Sequence, residues 1–302
     1  MVNKTIASLY IGNHSTLLVI LERNEYNYNL LYIKKINDVL NLNETIINPD
    51  SNKAINEIGE ILYKYNADYF FITLGTDYYI ATNIPGNSND NNFTDLINLS
   101  IKQQYNDKNI NNFRIKSISL HLENPMELVF FISKNIILAI KNIAKILNQN
   151  ITDIIPLPIS IINSYIYNYI NTTSENAILI QLINNIFEFI IISDKKVINI
   201  EYATIDNDIA DTIETKIGQI ITNYQLNPNS IYFCGENLNK QNYIECWQSC
   251  MLFDINSKRL NSMRLISCDL EKRDKEYCMN MFHIYNGCIG GAMPNKLKTS
   301  LL

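Results

Sequence analysis

The sequence predicts an α/β protein made of two duplicated domains with central mixed sheets, plus a small inserted α+β subdomain. Its 302 residues are enough for two hydrophobic cores. A rhythm of three short β-runs occurs twice, about 170 residues apart, and a helical pattern follows each triad. We expect residues 1–67 and 151–175 to form the first domain, residues 68–150 the insertion and residues 176–302 the second domain.

The duplication rests on two triads of β-runs separated by turn residues. The first triad covers residues 5–11, 15–21 and 28–33, and the second covers residues 177–182, 186–192 and 196–202. Apolar residues at helical spacing then follow at 55–62 and at 209–224. Each triad therefore gains a helical layer against which it can pack.

The segment between the triads has its own pattern. Residues 68–74 and 78–84 are predicted to form a strand pair that Pro85 ends, and residues 93–104 a helix. A hairpin of residues 113–122 and 126–133 precedes a helix over 136–147. The run Ile155-Pro156-Leu157-Pro158 then begins a helix that returns the chain to the first domain.

The composition excludes several function classes. Hydrophobic residues make up 47% and charged residues 18%, so the chain can fold around a core. A net charge of -5 without a Lys/Arg cluster argues against nucleic-acid binding. The N-terminal residues lack the pattern of a secretory signal, and no apolar stretch approaches the roughly 20 residues that cross a bilayer. We expect a cytoplasmic protein without direct membrane insertion.

The cysteines and histidines give no metal or catalytic pattern. All six cysteines lie in the last quarter, with irregular spacings and without paired CxxC motifs. Buried thiols are the preferred interpretation, and zinc held by Cys246, Cys250 and His283 is the alternative. The three histidines have no Ser or Cys partner at a recognisable spacing, so no catalytic residue is predicted.

The order of these elements resembles the PilM and FtsA branch of the actin-like ATPase superfamily. The resemblance covers nearly the whole chain as an order of elements. It is carried by the strand, Pro85 and helix at 78–104, by the strand, helix and re-entry at 128–165, and by the strand and glycine at 231–235. The Gly/Ala-rich closing helix at 285–292 completes it.

Active members of that superfamily hold ATP and a metal ion between two hairpins that usually open with Asp-x-Gly. Glycine lets the backbone approach phosphate, and the aspartate holds the hydrated metal or orients water. The corresponding letters here are Tyr10-Ile11-Gly12-Asn13 and Gln181-Leu182-Ile183-Asn184, and the Gly-Gly of the adenosine loop is Gly235-Glu236. The resemblance therefore implies a pseudo-ATPase that binds no metal and hydrolyses no ATP.

The surviving glycines leave two interpretations open. Weak binding of ATP or ADP through Gly12, Asn13 and Gly235 is one, and tight turns without a ligand are the other. No cofactor is otherwise predicted. Gly290-Gly291 is interpreted as a helix-packing contact or a C-terminal cap.

By the same resemblance we expect a non-catalytic scaffold of a cell-envelope machine of pilus, secretion or division type. It would bind a short peptide from the cytoplasmic part of an inner-membrane protein and reach the membrane through that partner. Phe93, Leu96 and Ile97, beside the insertion, are the predicted contact, and the alternative is that they are the buried face of their helix.

Two other functions stay open at this stage. One is an active ATPase or phosphotransferase whose carboxylates lie elsewhere, at Asp77, Asp206 or Asp208. The other is a filament-forming homologue, with a homo-oligomer as the simpler form of self-association.

Overall fold

The structure is a computed structural model that describes residues 3–25, 27–43, 52–87, 90, 92–104, 110–169, 176–206, 208–268, 270–293 and 299–301. The predicted end of the first domain at residue 175 lies outside the described residues.

The described chain contains strands and helices along its whole length. The strands are β1 (Lys4–Ile11), β2 (Thr16–Arg23), β3 (Tyr28–Lys35), β4 (Tyr69–Leu74), β5 (Ile80–Pro85), β6 (Phe113–Leu120), β7 (Met126–Ser133), β8 (Ile151–Pro156), β9 (Ala177–Ile183), β10 (Ile186–Ser193), β11 (Lys196–Thr204), β12 (Ser230–Cys234), β13 (Asn256–Arg259), β14 (Ser267–Cys268) and β15 (Thr299–Leu301). The helices are α1 (Lys53–Tyr65), α2 (Phe93–Gln104), α3 (Lys134–Ile146), α4 (Leu157–Tyr169), α5 (Ile209–Tyr224), α6 (Lys240–Met251), α7 (Lys272–Met281) and α8 (Asn286–Ala292).

The first two sheets confirm the duplicated architecture. The first sheet has the order β14-β3-β2-β1-β4-β8, and the second has the order β11-β10-β9-β12-β13. In both, the triad is antiparallel and the next strand pairs parallel to its first strand. Both β1 and β9 are buried on both faces, because layers of side chains cover each side of the sheet.

The third sheet, β15-β6-β7-β5, belongs mainly to the insertion. One of its faces packs on α2 around Phe93, Ile97 and Phe131. Its other face, which includes Leu128 and Phe130, joins the large core of the first sheet. The insertion is thus continuous with the first domain on one side.

The predicted strand pair at 68–84 is wrong. Strand β4 pairs with β1 and β8, while β5 pairs with β7, so the two runs belong to different sheets. The apolar run of β4 suits parallel pairing inside a covered sheet. Sheet membership also crosses the predicted domain limits, since β14 joins the first sheet and β15 the third. The limits at residues 67, 150 and 175 stay a proposal.

Local capping explains where the helices α1 and α5 begin and end. The Asn52 side chain accepts a hydrogen bond from the backbone of Ile55, and Asp208 accepts one from Ala210. Asn66 and Gln225 end these helices in the left-handed region, at φ 48° and 47°.

Helices α4 and α8 pack backbone against backbone. A Cβ on Gly290 would lie 1.7 Å from the carbonyl oxygen of Ser160 in α4, and one on Gly291 would lie 2.3 Å from Oγ1 of Thr73. Only glycine permits this approach. The predicted packing role of Gly290-Gly291 is confirmed.

We predict that Gly290→Ala lowers the free energy of unfolding by at least about 2 kcal/mol, because the new methyl group meets helix backbone that cannot yield. Urea denaturation of the purified protein measures the change. The matched control is Gly218→Ala in α5, where the nearest atom is 4.0 Å away. That variant should gain about 0.5–1 kcal/mol from helix propensity. Equal stabilities for the two variants would contradict the packing described here.

Candidate functional site

The candidate site is the cleft where the turns of the two triads meet the loop that follows β12. Tyr10 lies near the end of β1, Gln181 near the end of β9, and Gly235 and Glu236 directly after β12. The parallel pairing of β9 with β12 places Gln181 beside Cys234. The structure therefore brings together the three motifs that the sequence singled out.

The Tyr10 ring occupies the space beside Gly12 in the first hairpin turn. Its side chain is 5% exposed, and a Cβ on Gly12 would lie 2.5 Å from its hydroxyl oxygen. A Cβ on Gly287 of α8 would lie 3.6 Å from the same ring. Burial, followed by the negative charge of Glu236, raises the pKa of Tyr10 well above its ordinary value. A neutral phenol thus stands where the resemblance to the actin-like ATPases implies a carboxylate.

Glu236 links the two domains across the cleft. The hydroxyl of Ser15, in the turn between β1 and β2, donates a hydrogen bond to the Glu236 carboxylate. The backbone N–H of Gly12 donates to the carbonyl of Ser15 at 2.9 Å, which fixes the turn that presents this hydroxyl. The acidic residue of the adenosine loop is therefore engaged by a protein donor.

Gly235 is required by the backbone of the second hairpin. Its φ is +115°, and a Cβ would lie 2.3 Å from the carbonyl oxygen of Leu182. Its N–H donates to the carbonyl of His283 at 3.1 Å. Asn184 in the neighbouring turn donates its N–H to the Asn237 side chain at 3.1 Å. These contacts hold the loop directly on the hairpin.

The cavity left in the cleft measures about 10 Å³, room for about one water molecule. Small-molecule sites usually enclose about 300–1,000 Å³. The cavity lining includes Tyr10, Gln181, Cys234, Gly235, Glu236 and Gly287. Among the described lining residues, Glu236 is the one carboxylate.

A buried acid that the sequence analysis missed lies behind Gln181. Glu188 on β10 pairs with Gln181 on one side and with Tyr202 of β11 on the other. Its side chain is fully buried, and neither carboxylate oxygen has a hydrogen-bond partner. The Tyr202 hydroxyl acts on the Glu188 carboxyl from the neighbouring strand and lowers its pKa in part. Burial raises the pKa of Glu188 to about 7. A lone acid among the apolar residues 186–192 was the available signal.

The other predicted acids lie outside the cavity lining. Asp77 is exposed in the short 3₁₀ turn Thr76–Tyr78, and Asp206 is exposed after β11. Asp208 caps α5. Asn13, predicted as a weak nucleotide contact, is exposed beside Gly12 and outside the cavity lining.

The predicted partner contact on α2 needs correction. Phe93 is 1% exposed and Ile97 is fully buried, and both pack in the core beneath the third sheet, with Leu96 partly buried against it. They form the inward face of an amphipathic helix, because they recur at helical spacing. The large apolar residue that α2 exposes is Leu99, at 55%.

Five of the six cysteines are buried and all are free thiols. Within the described residues, no three His, Cys, Asp or Glu side chains come together as a metal site. Across the same residues, no helix is both long and apolar enough to span a membrane.

Comparison with known proteins identifies the fold of the chain. Neither a protein-family model nor a curated protein matches the sequence. A solved PilM-PilN type IV pilus biogenesis complex matches with a TM-score of 0.71 and 10% identity, covering 96% of this chain and 99% of that chain. A Bacteroides thetaiotaomicron VPI-5482 protein of unknown function with an actin-like ATPase fold matches with a TM-score of 0.51 and 9% identity. That match covers 84% of this chain and 90% of the other.

Identities this low establish the fold alone, and they agree with the resemblance read from the sequence. The match to the chain of the PilM-PilN complex extends over nearly the whole length of both chains. The chain has the actin-like ATPase fold, in an arrangement like that of PilM.

Proposed function

We propose that this chain is a non-catalytic scaffold of a bacterial cell-envelope machine, bound to the cytoplasmic part of an inner-membrane protein. It works from the cytoplasmic side and is held at the membrane by that partner. The observation that carries the proposal is the closed cleft, in which side chains of the protein occupy the space between the two hairpin turns.

The cleft chemistry does not fit a magnesium nucleotide. Magnesium prefers carboxylate oxygens, and the cleft offers the amide of Gln181 and the phenol of Tyr10 in their place. Glu236 is engaged by Ser15 and would repel a polyphosphate. Glu188 is shielded behind Gln181 and is half protonated near neutral pH.

The two surviving glycines support the turn interpretation over nucleotide binding. Gly12 makes room for the Tyr10 ring, and Gly235 makes room for the backbone of Leu182. Each close approach explains the glycine without a ligand. We therefore propose that ATP and ADP bind weakly at most.

The partner role is supported by the likeness to a PilM that was solved together with PilN. Phe93 and Ile97 serve the core, so we move the proposed contact on the insertion to the exposed Leu99 of α2. Leu99 is the large apolar side chain of α2 that a partner can reach without unpacking the core.

We predict that calorimetric titration with ATP gives no heat that depends on magnesium. The measurement compares titrations in excess magnesium and in excess EDTA. A weak, equal signal in both agrees with binding through the glycine turns alone. A saturable signal seen only with magnesium would assign the chain to the active ATPases and end the scaffold proposal.

We predict that the titration of Glu188 lowers the free energy of unfolding as pH rises from about 5 to about 7. The folded protein holds a proton on this acid up to about pH 7, whereas the unfolded chain releases it near the ordinary value of 4.5. The free energy of unfolding therefore falls progressively as pH rises, by about 3 kcal/mol in all. Glu188→Gln should make the free energy of unfolding less dependent on pH, and it should be more stable than the unchanged protein at pH 8. Urea denaturation at a series of pH values measures both.

The matched control is Glu60→Gln, which neutralises an exposed acid on α1 and should keep the slope of the unchanged protein. An unaltered slope in Glu188→Gln would show that this acid is ionised or solvated in the folded state.

We predict that the tagged chain, purified from detergent-solubilised native cells, retains an inner-membrane protein. A synthetic peptide from the cytoplasmic segment of that protein should bind the purified chain. Leu99→Ser should weaken peptide binding by about tenfold, because an apolar contact is lost. Gln103→Ser, on the same helix and also exposed, should leave binding unchanged. Repeated recovery of no envelope protein would contradict the scaffold role.

A further inference from the structure

A second surface, separate from the insertion, lies around the first turn of α6. It is a crevice of about 860 Å³ between α6, β13 and the end of α7, and we call it the basic crevice. Its lining residues include the acid Glu236 together with Lys240, Tyr243, Ile244, Lys258 and Arg259. The crevice is large enough to receive several side chains of another molecule.

Three cations line the basic crevice, in a chain whose net charge is -5. Arg259 lies 4.5 Å from the ring centre of Tyr243, and Lys258 lies 5.1 Å from that of Tyr232. These aromatic contacts fix both cations in place before any ligand arrives. The Nε of Arg259 is buried without a hydrogen-bond acceptor.

One acid, Glu236, lines the crevice together with these cations, and Glu245 on α6 lies outside the lining. Their hydrogen bonds come from the neutral donors Ser15 and Gln241, which leave the carboxylate charge in place. Three cations therefore face one acid within the lining. His283 adds no charge, because burial and then Arg259 lower its pKa to about 4. The local charge is therefore positive and favours an anionic ligand group.

An apolar stripe continues from the crevice along α6. Ile244, Trp247 and Met251 follow Lys240 at helical spacing and are 41%, 40% and 59% exposed. Exposed large apolar residues in a row mark an interaction surface. A small anion would leave this stripe uncovered, whereas a flat lipid surface would leave the concave crevice unfilled.

We propose that α6 and the basic crevice bind an acidic amphipathic segment of a partner protein. Apolar side chains of that segment cover Ile244, Trp247 and Met251, and its acidic end enters the crevice against Lys240, Lys258 and Arg259. This is the helix-on-apolar-face mode of recognition, with orientation set by charge. It concerns a surface distinct from the Leu99 contact and does not depend on the envelope partner.

Trp247 is the single tryptophan of the chain, so its fluorescence reports directly on this surface. The probes are synthetic helical peptides without Trp or Tyr, with leucines at i, i+4 and i+7 spacing. One carries a glutamate cluster at its N-terminal end and another at its C-terminal end. Matched peptides carry glutamine in place of every glutamate.

We predict a saturable shift of Trp247 emission to shorter wavelength with one of the two acidic peptides. The matched glutamine peptide should bind about tenfold more weakly. Added salt should lower the affinity of the acidic peptide. Lys240→Glu should lower the affinity for the acidic peptide about tenfold. The control Lys145→Glu changes an exposed lysine on α3 and should leave the affinity unchanged. Met251→Ser should weaken binding roughly fivefold, and Leu138→Ser, equally exposed on α3, should not.

Three results would overturn the proposal. The first is no saturable shift with either acidic peptide, and the second is equal binding of the glutamine peptides. The third is a shift caused by phosphatidylglycerol vesicles, or displacement of the peptide by ATP, which would assign the surface to a membrane or to a nucleotide.

Discussion

The contact between α4 and α8 is the constraint on which the rest of the structure depends. Gly290 brings the two helix backbones so close that any side chain would collide with Ser160. The Asn286 side chain secures the same joint, donating to the carbonyls of Leu260 and His283 and accepting from Ser164. Because Gly287 of α8 lies against Tyr10, the packing that joins the last helix to the first sheet also closes the cleft.

The proposed loss of nucleotide binding is compatible with this fold, because protein groups contact one another across the cleft. The Tyr10 ring fills the first turn, the Ser15 hydroxyl donates a hydrogen bond to Glu236, and Gly235 lies against the backbone of Leu182. Glu188 remains a destabilising group, because a buried acid without a hydrogen-bond partner is costly once ionised.

Because the cleft is closed, both proposals place the partner contacts on the surface of the protein. The insertion offers an exposed leucine on a helix whose other face is committed to the core, and α6 offers an apolar stripe that ends at fixed cations. The two surfaces differ in charge and shape, so the two proposals assign them different partners. Two separate surfaces would serve the proposed scaffold role.

The sequence by itself determined the order of elements, the two triads and the loss of the motif carboxylates, because strand alternation, helical spacing and residue chemistry are local properties. It also indicated that Gly290-Gly291 is a packing site. It misplaced β4, because pairing partners depend on distant residues. For Phe93 and Ile97 it left a partner contact and a buried helix face both open, and the tertiary structure decided for the buried face. Only the tertiary structure brought Ser15 to Glu236 and Arg259 to Tyr243. Ser15 and Glu236 are 221 positions apart in the chain, so no local pattern encodes their contact. Gln181 and Glu188 belong to one predicted hairpin, and what the structure added there is the burial of the acid.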